Sequence, residues 1–216
     1  MDTATTKELA ADRERILREF SVSRETAQRL DAFVALLQKW QNTTNLIAPS
    51  TERAIWSRHV ADSLQILPLA LNAKTWVDLG SGGGFPGMVL ACAFNPPAVV
   101  HLVESNAKKA AFLREAARVT GAPAKIHNQR IEDFNQQFQE HADIVTARAL
   151  APLTELLGFC EPHIKMGAQA LLLKGQDIAD ELTEAAKYWK IDTKLKESLT
   201  DPKGRILIVR SLKRAG

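Results

Sequence analysis

Residues 77–87 read Val-Asp-Leu-Gly-Ser-Gly-Gly-Gly-Phe-Pro-Gly, an apolar stretch that ends in an acid and runs straight into glycines 80, 82, 83 and 84. Glycine adopts positive φ freely and has no Cβ, so such a run turns tightly and lets bare backbone approach a ligand. Each glycine also loses more chain entropy on folding than any other residue, so a plain turn has no use for this many. Pro86 suits the first turn of a helix, where its missing N–H is not needed, and a helix over 85–94 is expected with its positive end aimed back at the loop. Strand, glycine loop and helix in that order form the ligand-binding corner of an open α/β sheet.

Two nucleotide-type ligands compete for this loop. Gly82-Gly83-Gly84-Phe85-Pro86-Gly87 satisfies the dinucleotide pattern G-x-G-x-x-G literally. In the other register, Asp78, Gly80, Gly82 and Gly84 give acid-x-Gly-x-Gly-x-Gly, which resembles the S-adenosylmethionine methyltransferases. A pyrophosphate is repelled by a neighbouring acid. The methyl donor brings an ammonium and a sulfonium, which such an acid attracts, so Asp78 favours it.

A chain of 216 residues, 45% hydrophobic and 25% charged, can bury a proper core. No run approaches the ~20 apolar residues of a membrane span. The opening stretch carries Asp2, Glu8, Asp12, Arg13 and Glu14, unlike a signal peptide, so a cytoplasmic protein is expected, and separately a monomer. Cys92 and Cys160 lie far apart in apolar segments and read as buried thiols; no metal-ligand spacing occurs. A net charge of +3 is compatible with a polyanionic partner without requiring one.

The hydrophobic period changes once along the chain. Over 1–73 it is helical: Ser23 is a good N-cap for a helix over 24–41 with Leu30, Phe33, Val34, Leu37 and Trp40 on one face. A second helix is expected over 51–70, burying Trp56, Val60, Leu64 and Leu67, with Pro68 disturbing its end. Over 74–216 short apolar runs alternate with helices. Strands are expected at 75–79, 99–103, 124–128, 144–146, 168–173 and 206–209, with helices at 107–119, 150–161 and 177–189. Such alternation gives an α/β fold, Rossmann-like, with a mainly parallel sheet and helices on both faces, here preceded by a small helical region.

Ligands in that fold sit beyond the carboxyl ends of the strands. Glu104 ends the second strand twenty residues past Gly84, where an acid can accept hydrogen bonds from both ribose hydroxyls of an adenosine. After the third strand comes Arg130-Ile131-Glu132-Asp133, whose backbone and Ile131 could border an adenine ring while Glu132 and Asp133 begin a helix. Asn95-Pro96-Pro97 imitates the amine-gripping motif of amino-group methyltransferases but stands between the first helix and second strand, and reads as a turn. After the fourth strand, where that motif belongs, the chain has Thr146-Ala147-Arg148-Ala149. Cys160, a thiolate candidate on paper, sits at a helix end and reads as packing.

Taken together, Asn45-Leu46-Ile47, residues 58–64 (Arg-His-Val-Ala-Asp-Ser-Leu), the loop through Phe85-Pro86-Gly87, Val145 to Ala149 and Leu173-Lys174-Gly175 resemble the bacterial 16S ribosomal RNA guanine-N7 methyltransferases, once called glucose-inhibited division protein B. The likeness covers nearly the whole chain. It implies methyl transfer from S-adenosylmethionine to one guanine near the decoding centre of 16S ribosomal RNA, free, in the small subunit or in an assembly intermediate. It also implies cofactor contacts at Gly80, Phe85, Ile131, Glu132 and Arg148, to which the strand-end argument adds Glu104. Gly83, where alanine is familiar in the family, reads as a harmless departure.

Guanine N7 is an unprotonated lone pair, so its methylation needs placement and charge management but no proton abstraction. Arg148 and Lys174 then read as catalytic through positioning and electrostatics, holding RNA or the cofactor carboxylate. His59 and Asp62, one helical turn apart, read as a tie between the helical layer and the core rather than an acid–base pair. Lys203, Arg205, Arg210, Lys213 and Arg214 could join Arg130, Arg148 and Lys174 along an RNA backbone, or form a solvated tail. The rival readings are a nicotinamide oxidoreductase, a small-molecule methyltransferase and a silent RNA-binding module.

Overall fold

The computed structural model describes residues 3–215, so Asp2 of the charged opening stretch lies outside the described residues. The sheet is built from runs such as Val99–Val103 and Ile144–Arg148, each buried at four of its five positions because helices cover both faces. Strand order is β3-β2-β1-β4-β5-β7-β6. The strands are β1 (Thr75–Leu79), β2 (Val99–Val103), β3 (Ala124–His127), β4 (Ile144–Arg148), β5 (Gln169–Lys174), β6 (Trp189–Glu197) and β7 (Arg205–Arg214). The first five in that order are parallel; β7 runs antiparallel between β5 and β6. Strand order reverses between β1 and β4, and a crevice opens at such a reversal beyond the strand ends.

Alternation along β1 assigns the faces. Trp76 joins a core with Leu30, Phe33, Val60, Phe85 and Phe112, whereas Val77 and Leu79 join one with Phe134, Leu157, Cys160 and Trp189. The first core is shared by α2 (Arg24–Gln41), α4 (Gly87–Ala93) and α5 (Ala107–Thr120). The second is roofed by α6 (Ile131–Gln137), α7 (Leu153–Lys165) and α8 (Ile178–Ala185). Ser23 Oγ caps α2 by accepting from the Thr26 N–H at 3.1 Å. A further helix, α1 (Thr3–Glu19), precedes it and is fastened by Arg13 to Asp31 of α2.

Several boundaries differ from expectation for local reasons. The continuous helix over 51–70 is instead a 3-10 turn (Pro49–Ala54), a π turn (Trp56–Val60), α3 (Ala61–Leu64) and a second 3-10 turn (Leu67–Leu69). Proline occupies both 3-10 segments, and Ser63 Oγ donates to the His59 carbonyl, competing with the regular ladder. Helix α7 starts at Leu153 rather than 150, since Pro152 disfavours a helical residue before it. The helix expected to 189 stops at Ala185, and Trp189–Glu197 forms strand β6, whose Trp-Lys-Ile-Asp-Thr-Lys-Leu-Lys alternation has the period of a strand. The basic C-terminus is β7, not a tail. Lys174 pairs with Arg205 in the ladder, so Arg205 stays at the crevice edge while Arg210, Lys213 and Arg214 run to the opposite edge.

Phe33 is fully buried and packs its ring against Phe85 of the glycine loop and Phe112 of α5, at centroid distances of 5.4 and 6.0 Å. Truncation by Phe33→Ala should destabilise the protein by about 3–5 kcal/mol. Urea unfolding would register this as a lower midpoint at unchanged slope, and a midpoint equal to wild type would contradict the packing described.

Candidate functional site

The loop after β1 is held open by its own backbone. Gly84 has φ +90°, and a Cβ there would meet Met88 Cβ at 2.8 Å and the Phe33 ring at 3.0 Å. Gly83 has an ordinary φ, but its Cβ would lie 2.7 Å from the Leu46 carbonyl oxygen, so alanine at this position requires the neighbouring backbone to give way. The Ser81 N–H donates to the Val103 carbonyl at 3.0 Å and the Gly82 N–H to Glu104 Oε2 at 2.8 Å, while Glu104 Oε1 accepts from the Asn106 N–H at 2.7 Å. Glu104 thus staples the loop to the end of β2.

Asp78 is not beside the ligand space. It is completely buried beneath the loop, with Oδ1 accepting from Thr146 Oγ1 at 3.0 Å and Oδ2 from the Gly87 N–H at 3.1 Å. Helix α4 begins at Gly87, two residues later than expected, and this N–H of its first turn points to Asp78 instead of into the crevice. Burial pushes the Asp78 carboxyl up to about 6, opposed by those hydrogen bonds and by Arg148.

A cavity of about 550 Å³ lies beyond the carboxyl ends of β1, β2 and β4. Gly80, Gly82, Phe85, Glu104, Ile131, Glu132 and Arg148 all line it; Asp78, Gly84 and Lys174 do not. Its volume suits a nucleoside-sized ligand. Carboxylates of Glu104, Glu132 and Glu155 and the glycine-loop backbone match an ammonium and a ribose diol, and Lys109, Arg130 and Arg148 can balance a carboxylate, so the residues present fit S-adenosylmethionine.

Arg148, at the end of β4, is the hub of the site. Its Nη1 meets Asp62 Oδ2 at 3.2 Å and the Arg58 carbonyl at 3.3 Å, its Nη2 meets His59 Nδ1 at 2.8 Å, and its guanidinium carbon sits 5.2 Å from the Phe85 ring centroid. Arginine only donates, so His59 Nδ1 accepts and its Nε2 carries the proton, 2.8 Å from Thr51 Oγ1. Burial, with Arg148 and Arg58 nearby, pulls the His59 pKa down to about 3. Ala149 follows at φ +50°, a left-handed conformation disfavoured for a residue with a side chain.

Lys174 reaches Glu181 Oε2 at 2.7 Å and the Ala151 carbonyl at 3.2 Å, and it lines a second cavity of about 280 Å³ together with Arg58, Asp62 and Arg205. Thr51, Gln65, Thr200 and Asp201 border the same space and were missed from sequence, because no local pattern ties residues of the β6–β7 turn to the N-terminal region. Cys92 and Cys160 are buried in the two cores, and burial pushes both thiols up to about 12.

A switch-point cavity behind an acid and glycine loop, on a sheet whose sole antiparallel strand among those described lies between the last two, defines a Rossmann-like S-adenosylmethionine-dependent methyltransferase. The O-methyltransferase from Bacillus cereus in complex with SAH superposes with a TM-score of 0.56 over 82% of this chain and 90% of that one; at 12% identity it speaks for the fold alone. The family described as rRNA small subunit methyltransferase G, GidB, matches residues 26–208, and the chain belongs to it. Ribosomal RNA small subunit methyltransferase G of Bradyrhizobium sp. strain BTAi1 is 59% identical over 210 residues, 96% of this chain and 95% of that protein. The protein of the same name from Nitrobacter hamburgensis is 57% identical over 207 residues, 95% of this chain and 80% of that protein. The nicotinamide reading falls with these matches.

Glu104→Ala should weaken S-adenosylmethionine binding by about 1.5–3 kcal/mol, tenfold to a hundredfold, in a chain that stays folded. Calorimetric titration measures this; unchanged affinity would remove Glu104 from the ligand's contacts. Asp78 carries a separate signature. Its folded pKa lies above the ordinary 3.8, so its contribution to stability is full below about pH 4 and is lost as pH rises through about 6. A rise of that size corresponds to about 3 kcal/mol. Denaturation of wild type and Asp78→Asn across that range should show the difference moving in the variant's favour by about this amount, and a pH-independent difference would refute the buried-carboxyl assignment.

Proposed function

We propose that this methyltransferase transfers the methyl group of S-adenosylmethionine to N7 of a guanine in 16S ribosomal RNA, near the decoding centre. The observation that carries this is that the two groups beside Arg148 able to take a proton are already engaged. His59 is held neutral with both ring nitrogens engaged, and Asp62 accepts from Arg148, Gln65 and Thr200. An amine or hydroxyl acceptor has a proton to lose; guanine N7 has a lone pair ready to attack. The cofactor supplies an electrophilic methyl group on a sulfonium sulfur. With that group bound, the N7 lone pair would take the methyl, the S–C electron pair staying on sulfur and the positive charge passing to the purine. No proton moves.

In this reading Glu104 accepts from the ribose diol, Ile131 borders the adenine, Glu132 and the backbone of Gly80 and Gly82 complete the cofactor site, and Phe85 floors it. Arg148 positions from the wall of the cavity rather than reacting. Lys174 acts by charge and donation, with Glu181 and the Ala151 carbonyl fixing it. Residues 1–73 serve as a helical region that braces Arg148 against the catalytic unit of residues 74–216. The names of the relatives support the RNA substrate; a cytoplasmic monomer acting on the small subunit or an assembly intermediate fits them.

Quaternising N7 makes the glycosidic bond labile, so ribosomal RNA methylated by the purified protein should break at one nucleotide after borohydride and aniline. Labelled methyl incorporation without scission would exclude N7 while leaving RNA as substrate.

A further inference from the structure

The second cavity adjoins the first across a wall made by Arg148 and Ala149, the residues common to both linings. The two spaces differ in charge. The larger one sets Glu104, Glu132 and Glu155 against Lys109, Arg130 and Arg148, three of each sign. The smaller sets Arg58, Arg148, Lys174 and Arg205 against Asp62 and Asp201, four cations to two carboxylates. Those carboxylates are already committed: Asp62 to Arg148, Gln65 and Thr200, and Asp201 to Arg58 and the Lys203 N–H. The cations keep capacity. Among the described residues Lys174 uses two of its three protons, and Nε and Nη2 of both Arg58 and Arg205 have no hydrogen-bonded acceptor.

We propose that the second cavity receives the acceptor purine nucleotide of the RNA, its base unstacked and inserted beside Ala149 with its phosphate on Arg58 and Arg205. This rests on the RNA methyltransferase reading. An enzyme that modifies a base takes it out of the stack, and the edge of guanine carrying N7 and O6 offers only acceptors, which a cavity rich in unspent donors suits. Lys174 donating to O6 orients the ring, and the lone pair of N7 stays free for the methyl group. The small side chain at 149 leaves the shared wall thin where the two ligands must meet. Gly175 also lines the space, has no atom within 4 Å of where a Cβ would stand and shows no positive φ, so a large residue fits there and narrows the cavity without backbone strain.

The probe is 6-thioguanosine 5′-monophosphate at millimolar concentration, photo-crosslinked to the full-length protein saturated with S-adenosylhomocysteine, with adducts located by peptide mass spectrometry. Adducts should fall within residues 51–62, 173–175 or 198–206 and be competed by guanosine 5′-monophosphate. Gly175→Phe, by filling the space, and Arg205→Glu, by removing a charged hydrogen bond, should each reduce them about tenfold or more, while S-adenosylhomocysteine affinity stays near wild type and attests the fold. Adducts confined to other peptides, adducts insensitive to both variants, or no adduct at all would overturn the proposal. Failure of the N7 reading would register separately, as methylated RNA that resists scission while the adducts stay in the second cavity.

Discussion

The site is organised by one desolvated cation. Arg148 ends a central strand with its guanidinium largely removed from water, and a buried charge is tolerable only when paired and hydrogen-bonded. Every partner it finds lies in the helical region or the loop: Asp62, His59, the Arg58 carbonyl and the face of Phe85. The irregular helix around Trp56–Val60 makes sense in this light. A π turn presents the Arg58 carbonyl and the His59 ring to the same guanidinium, and such turns recur at functional sites. Asp62 extends the network through Gln65 and Thr200 to the β6–β7 turn, so one charge joins three segments far apart in sequence.

Much of this is legible in the sequence itself. The parallel strands are short apolar runs closed by turn residues, and the glycine loop has few structural uses, so strand, loop and helix could be laid out in order. Glu104 was legible because a strand end at that distance from the loop has one place to be in an open α/β sheet. Asp78 was misplaced for an equally physical reason: an acid beside a glycine loop reads alike whether it faces the ligand or the sheet below. Pairing opposite Thr146 and the approach of Gly87 decide the matter, and both are tertiary facts.

What escaped was long-range or irregular. Strand β6 is polar on its exposed face, with lysines at alternate positions along the sheet edge where they discourage further pairing, and its single apolar face is weaker than the helical signal preceding it. The second cavity has no sequence signature because its walls come from residues 51–65, the ends of β4 and β5 and the start of β7. The antiparallel Lys174–Arg205 pairing joins the strand ends, and the Arg148–Asp62 and Arg58–Asp201 ion pairs bring the N-terminal segment to them.

The loop over β1 is fastened by the protein's own groups: to Val103 by Ser81, to Glu104 by Gly82 and to Asp78 by Gly87. Its ordering entropy is therefore charged to folding, not to binding. Association at a surface ordered in this way is limited by encounter and orientation.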